Sequence, residues 1–250
     1  LDPPLYHRGI CEFNSLAPVR ETIAAICIFQ MISNETLNNL KNVTLLDPMC
    51  GRGTFLFEAE QIFNENKYRS YLIELAISDK ISKELKQIQN MVQSFYQITA
   101  DNIGFKKLIG QDISEDSLQA AEKNIENWKL KFDTESKITI QNKPNDFFLQ
   151  ADPIKVIPNL WIVMNPPYGE RLKLGFTALD LLKAGFINYK CEKLGILWSK
   201  RNLIHLKKEI ELWNQNFQVE SNIYVQLESE LYFKNGGLDV GFFVINKKPT

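Results

Sequence analysis

Hydrophobic positions fall into two alternating rhythms along the chain. Short, nearly continuous apolar runs read as buried strands: "NVTLLDP" (42–48), "FKKLIGQDI" (105–113), "SKITIQ" (136–141), "LWIVMN" (160–165) and "KLGILWS" (193–199). Between them lie stretches of helical period. "PVRETIAAICIFQMI" places Ile23, Ile26, Cys27, Gln30 and Met31 on one face, and Pro18 suits a first helical turn. "GRGTFLFEAEQIF", "SEDSLQAAEKNIENW", the segment 174–188 and "NLIHLKKEIELW" follow the same period, and residues 71–99 read as helix without a motif. Ser114, or Asp112, caps the helix that begins "SEDSL". Two β-rich stretches, "SNIYVQLESELYF" and "LDVGFFVIN", close the chain through the turn Asn235-Gly236-Gly237.

Strands alternating with helices predict a three-layer α/β domain, Rossmann-like in its layering. Its sheet is seven-stranded and mostly parallel, with an antiparallel C-terminal edge. Right-handed crossovers place the carboxyl ends of the parallel strands on one edge, where open α/β sheets bind ligands. No repeat or low-complexity linker interrupts the pattern, which divides the chain into an N-terminal arm, 1–17, and one domain, 18–250. The chain opens at Leu1, which leaves room for an upstream module.

Composition adds exclusions. Lys and Arg number 29 against 30 acids, a balance that disfavours strong non-specific nucleic-acid binding but permits a local basic rim. Cys11, Cys27, Cys50 and Cys191 are scattered, with only His7 and His205 besides, so no metal-ligand spacing arises. Free thiols suit a reducing cytoplasm. No apolar stretch is long enough to cross a bilayer, and no membrane partner is expected.

The candidate chemistry lies at strand ends. In "DPMCGRGTF", Gly51 and Gly53 allow a tight turn and close backbone approach to a ligand. The turn lacks the lysine of a triphosphate loop and the third glycine of the dinucleotide fingerprint. Asp47 at the strand tip suits a positively charged ligand group such as an amino-acid ammonium. Asp112 ends the second strand, where a carboxylate can accept from both hydroxyls of a ribose. Asp146 and Phe147, in "PNDFFLQ", can bracket an adenine; an Asn-Asp turn before two core phenylalanines reads the same way.

"NPPYGER" ends the fourth strand with Asn165, Pro166, Pro167 and Tyr168. The Asn165 side-chain carbonyl and the Pro166 backbone carbonyl can accept the two N–H bonds of an amine, and Tyr168 offers a ring for a planar base. Such acceptors favour a tetrahedral nitrogen with its lone pair directed at an electrophilic methyl group, and act most strongly in the transition state.

Together, "HRGI…APVRETIAA", "LLDPMCGRGTFLFEA", "NPPYGERL" and the tail "LYFKNGGLDVGFFVI" resemble the class I S-adenosylmethionine-dependent methyltransferases. Within that class the match is to the amino-methyltransferase branch, in the THUMP-associated group that methylates guanine N2 in 23S rRNA and tRNA. The resemblance implies S-adenosyl-L-methionine as cofactor. It places Asp47, Pro48, Met49, Cys50, Gly51, Gly53 and Thr54 around the methionine part, Asp112 at the ribose, Ile113 and Asp146 at the adenine, and Asn165, Pro166 and Tyr168 at the target amine. It also places Arg20 and Glu21 near the pocket and His7 and Arg8 toward substrate. Two positions depart from the family pattern: Arg52 stands where Ser is frequent, with its side chain expected to point outward, and Gln111-Asp112-Ile113-Ser114 keeps one of two usual acids. The family's RNA-capturing THUMP domain is absent from these residues, so an upstream or separate RNA-binding domain is an implied partner beside structured RNA, foremost rRNA. Local basic candidates are Lys106-Lys107, Arg171 with Lys173, Lys200-Arg201 and Lys207-Lys208, each equally a solvated face. The corner motif alone also fits an adenine N6 amine or a glutamine amide, and a cofactor-free binding module keeps the same fold. Oligomeric state is left open.

Overall fold

A computed structural model of the chain describes residues 19–63, 104–132, 135–149, 157–167, 175–216, 223–235 and 238–248. The N-terminal arm and the expected helix over 71–99 lie outside the described residues. The elements in chain order are α1 (Glu21–Ile32), α2 (Leu37–Leu40), β1 (Thr44–Asp47), α3 (Thr54–Gln61), β2 (Lys107–Gly110), α4 (Glu115–Phe132), β3 (Ile138–Ile140), β4 (Leu160–Met164), α5 (Ala178–Leu182), β5 (Lys193–Ser199), α6 (Lys200–Asn216), β6 (Tyr224–Asn235) and β7 (Leu238–Lys248).

The strands form one seven-stranded sheet in the order β3-β2-β1-β4-β5-β7-β6. β3, β2, β1, β4 and β5 pair in parallel, while β7 runs antiparallel to both β5 and β6. The antiparallel C-terminal edge therefore arises from one reversed strand, β7, set inside β6. β1 and β4 are buried at every position, as expected of central parallel strands covered on both faces.

Two apolar cores lie on the two faces of the sheet. On one, α1, α3 and α4 pack Ile23, Ile28, Phe57 and Trp128 against Leu45 and Val163. On the other, α5 and α6 pack Leu181, Leu203 and Trp213 against Ile162 and Ile196. α1 is buried on nearly every side, so its helical period shows only faintly in the sequence. It starts at Glu21 because Arg20 is extended, three residues beyond Pro18. α2 is a single turn that no periodicity announces.

Local chemistry fixes the helix starts. Ser114 Oγ accepts from Ser117 N at 3.3 Å and caps α4, a contact worth about 1 kcal/mol. Thr177 caps α5 in a reciprocal box with Asp180. α5 then widens into a π-helical turn, Lys183–Asn188. That turn closes with Tyr189 N donating to Ala184 O at 2.9 Å and sends Tyr189 into the interior.

Candidate active site

The parallel register sets Asp47 of β1 beside Gly110 of β2, and the loops that follow both strands are stitched together. Gln111 N donates to Asp47 O at 2.9 Å, and Cys50 N donates to Gln111 O at 2.8 Å. The glycine turn between them needs left-handed backbone: Gly51 has φ +53° and Gly53 φ +91°. A Cβ on Gly53 would also sit 3.0 Å from Phe57 Cε2.

Asp112 binds this turn with both oxygens. Oδ2 accepts from Gly51 N at 2.8 Å and Oδ1 from Ser114 N at 2.9 Å. An ionised carboxylate has roughly four acceptor sites, so about two stay open for hydroxyl donors. Asn145 N donates to Asp112 O at 2.9 Å, which carries the segment after β3 to the same edge. Beneath it lies a polar triangle. Asn145 Nδ2 donates to Gln111 Oε1 and to Tyr189 Oη, each at 3.0 Å, and Tyr189 Oη donates to Gln111 Oε1 at 3.1 Å. Asp146 Oδ1 accepts from Phe148 N at 2.9 Å.

These loops and the corner after β4 enclose one cleft of about 540 Å³. Asp47, Gly51, Asp112, Asp146 and Asn165 all line it, with Phe148 and Phe176 in its wall. Asp47 is 1% exposed, and burial holds its carboxyl well above the usual value; the Met49 N–H draws it down, while neighbouring Asp112 adds to the rise. A buried carboxyl of this kind favours a cationic partner. Burial, then Asp47 and Asp112, push the Cys50 thiol up as well, so at neutral pH it is a protonated thiol rather than a nucleophile.

The geometry therefore joins a glycine turn, the Asp112 carboxylate and the corner that begins at Asn165 in one cleft at the carboxyl edge. The sequence model for the RMKL-like methyltransferase domain matches residues 8–184, well over half of the chain. The chain belongs to that family. As a member of the RMKL-like methyltransferase domain family, it is similar to ribosomal RNA large subunit methyltransferase K/L of Acinetobacter baylyi, 28% identical over 67% of this chain and 22% of the relative. The enzyme of the same name from Colwellia psychrerythraea is 27% identical over 97% of this chain and 31% of its own length. That from Buchnera aphidicola subsp. Acyrthosiphon pisum is 24% identical over 96% and 34%. The chain thus spans about a fifth to a third of the curated relatives it matches. Among solved structures, SMU.472 complexed with SAH superposes with a TM-score of 0.57 at 19% identity, covering 98% of this chain and 56% of the other. TrmN from Thermus thermophilus gives 0.55 at 16%, covering 99% and 55%. Both carry the methyltransferase layering found here.

Of the residues that the sequence nominated, the cleft gathers Asp47, Pro48, Met49, Cys50, Gly51, Thr54, Asp112, Ile113, Asp146, Phe147 and Asn165. Gly53 shapes the turn without lining the cleft. Pro166 is buried, and Pro167 takes its place in the wall. Tyr168, His7 and Arg8 lie outside the described residues. Arg20 is exposed and Glu21 buried, while the neighbouring Val19 lines the cleft. One expectation is overturned: Arg52 does not point outward. It is 7% exposed, lines the cleft and donates from Nε to Thr54 Oγ1 at 3.2 Å. The turn's left-handed glycines carry Arg52 inward, and Asn124 Nδ2 of α4 donates to its carbonyl at 3.1 Å. Sequence reasoning missed Asn145, Phe148 and Phe176 as cleft residues; "NDFF" reads equally as core, and Phe176 falls in a stretch read only as helical.

Proposed function

We propose that this chain transfers a methyl group from S-adenosylmethionine to the exocyclic N2 amine of a guanine in ribosomal RNA. The observation that carries the reading is the shared cleft, lined by Gly51, Asp112 and Asn165 at the carboxyl edge of the sheet. The family and the names of the curated relatives support it. The residues suit such a cofactor: the cleft has the volume of a small-molecule site, and its buried acid, Asp47, favours a cationic group. Asp47 and the Gly51 turn would hold the amino-acid end, Asp112 the ribose, and Asp146 with Ile113 the adenine.

When bound, that cofactor supplies a methyl group on a positively charged sulfur, an electrophile that the protein need not activate. The chain's task is the amine. Its lone pair is shared with the base, so it attacks poorly until the nitrogen becomes tetrahedral. The Asn165 side-chain carbonyl and the Pro166 carbonyl accept its two N–H bonds and gain strength as positive charge grows on nitrogen. The N–H proton then leaves to water after the N–C bond has formed. Proline fixes its carbonyl direction and brings no competing donor.

Methyl transfer from labelled S-adenosylmethionine to unmethylated 23S rRNA, with tRNA alongside, tests the reading. Asn165→Ala should bind cofactor within about twofold of the parent yet lose about 100-fold or more in turnover. Undiminished turnover would remove Asn165 from the amine-holding role, and transfer to tRNA alone would redirect the substrate.

A further inference from the structure

Three aromatic side chains form a row that leads from the sheet into the cleft. Trp198 of β5 is 2% exposed and anchors one end. Phe176, on the connection between β4 and α5, lies with its ring centroid 6.1 Å from Trp198 at an interplanar angle of 22°. Phe148, on the connection after β3, stacks on Phe176 at 4.6 Å and 24°. Phe147 braces Phe148 edge-on at 5.4 Å and 67°, and itself lies 4.9 Å from Tyr189. Phe147, Phe148 and Phe176 line the cleft together with Asn165 and Pro167; Phe148 and Phe176 are only partly buried, unlike Phe147 and Trp198.

The stacked pair bridges the two sides of the cleft. Asp112 and Ile113 follow β2, and Phe148 follows β3, on one side of β1; Phe176 follows β4 and Trp198 lies in β5, on the other. Phe176 and Asn165 lie between β4 and α5, and both line the cleft. A planar heteroaromatic ring brought to Asn165 meets the row as a further layer.

We propose that the Phe148–Phe176 pair is the stacking platform for the target base, holding its plane while Asn165 holds its amine. This rests on the reading of the cleft as an RNA methyltransferase site. Stacking accepts any base, so the platform supplies capture and orientation, and identity is left to hydrogen bonds at the base edge. The other planar ring that fits the same chemistry is the cofactor's adenine, and the experiment separates the two.

Phe176→Leu and Phe148→Leu are measured beside Phe176→Tyr and the parent, with thermal melting for each. Cofactor affinity is read by calorimetry, and kcat and KM on unmethylated rRNA by label transfer. The expected result is a KM for RNA raised about tenfold in the leucine variants, cofactor affinity within about twofold, and near-parental KM in the tyrosine variant. Weakened cofactor binding with unchanged RNA KM would assign the row to adenine and overturn the proposal. Parental KM in the leucine variants, or equal loss in leucine and tyrosine variants, would reduce it to packing. Should a leucine variant fail to fold, Phe176→Met preserves volume and flexibility without a flat ring, and is read against the same outcomes. Failure of the underlying reading is seen separately, as absence of label transfer to RNA by the parent.

Discussion

At the scale of single residues, Asp47 carries the clearest consequence. Its carboxyl titrates well above the usual value because it is buried, which shifts its balance toward the neutral form. A group raised in this way contributes most to folding below its unfolded value, and that contribution is lost as pH rises through the folded value. A cationic ligand reverses the preference by favouring the carboxylate. S-adenosylmethionine affinity should therefore strengthen as pH rises through the elevated titration of Asp47, with proton release visible as a buffer-dependent heat. Asp47→Asn should flatten both effects, and an unchanged pH profile in that variant would locate the titration elsewhere. Gly53→Ala meets a different obstacle. At φ +91°, with Phe57 3.0 Å from the added carbon, alanine should cost at least about 1–2 kcal/mol, seen as a melting point lower by several degrees. Both residues were legible in the sequence because strand tip and glycine turn are written consecutively. Arg52 was not: whether a side chain in a turn faces in or out depends on backbone angles that its neighbours set in space.

At the scale of elements, the strands were legible as apolar runs and the helices as periodic ones, since burial on two faces or one leaves those signatures directly in composition. What escaped was any feature made by meeting. The triangle of Gln111, Asn145 and Tyr189 joins the ends of β2, the segment after β3 and the π-helical turn, residues up to 78 positions apart. The π-helical turn leaves no compositional mark, yet it supplies the tyrosine. Tyr189→Phe removes one donor and one acceptor from this buried set, at a cost of about 1–2 kcal/mol. The effect should reach the cleft through Asn145, weakening cofactor binding severalfold while sparing the RNA KM. Calorimetry on the variant checks this, and unaltered affinity would confine Tyr189 to the core.

At the scale of the whole molecule, topology sorts the basic candidates that sequence left equal. Lys106 and Lys107 stand at the amino end of β2, away from the cleft, whereas Lys200 and Arg201 follow directly on the carboxyl end of β5. Lys207 is already engaged by Glu230 at 3.1 Å; Arg171 and Lys173 lie outside the described residues. Lys200→Glu with Arg201→Glu should raise the RNA KM several-fold and flatten its salt dependence, while the same exchange at Lys106 and Lys107 leaves both unchanged. Equal effects would mean that RNA wraps both edges. The order of the strands has a consequence of another kind, for synthesis. β7 follows β6 in sequence but lies between β5 and β6, pairing with β5 from Lys193↔Asn246 to Ser199↔Val240. While a ribosome is still making the chain, β5 presents an open edge with Leu194, Ile196 and Leu197 on it, and among the described strands only β7 pairs there. The sheet closes only when β7 is added, so a chain stalled after Asn235 is a sticky intermediate, and its solubility depends on how quickly β7 follows.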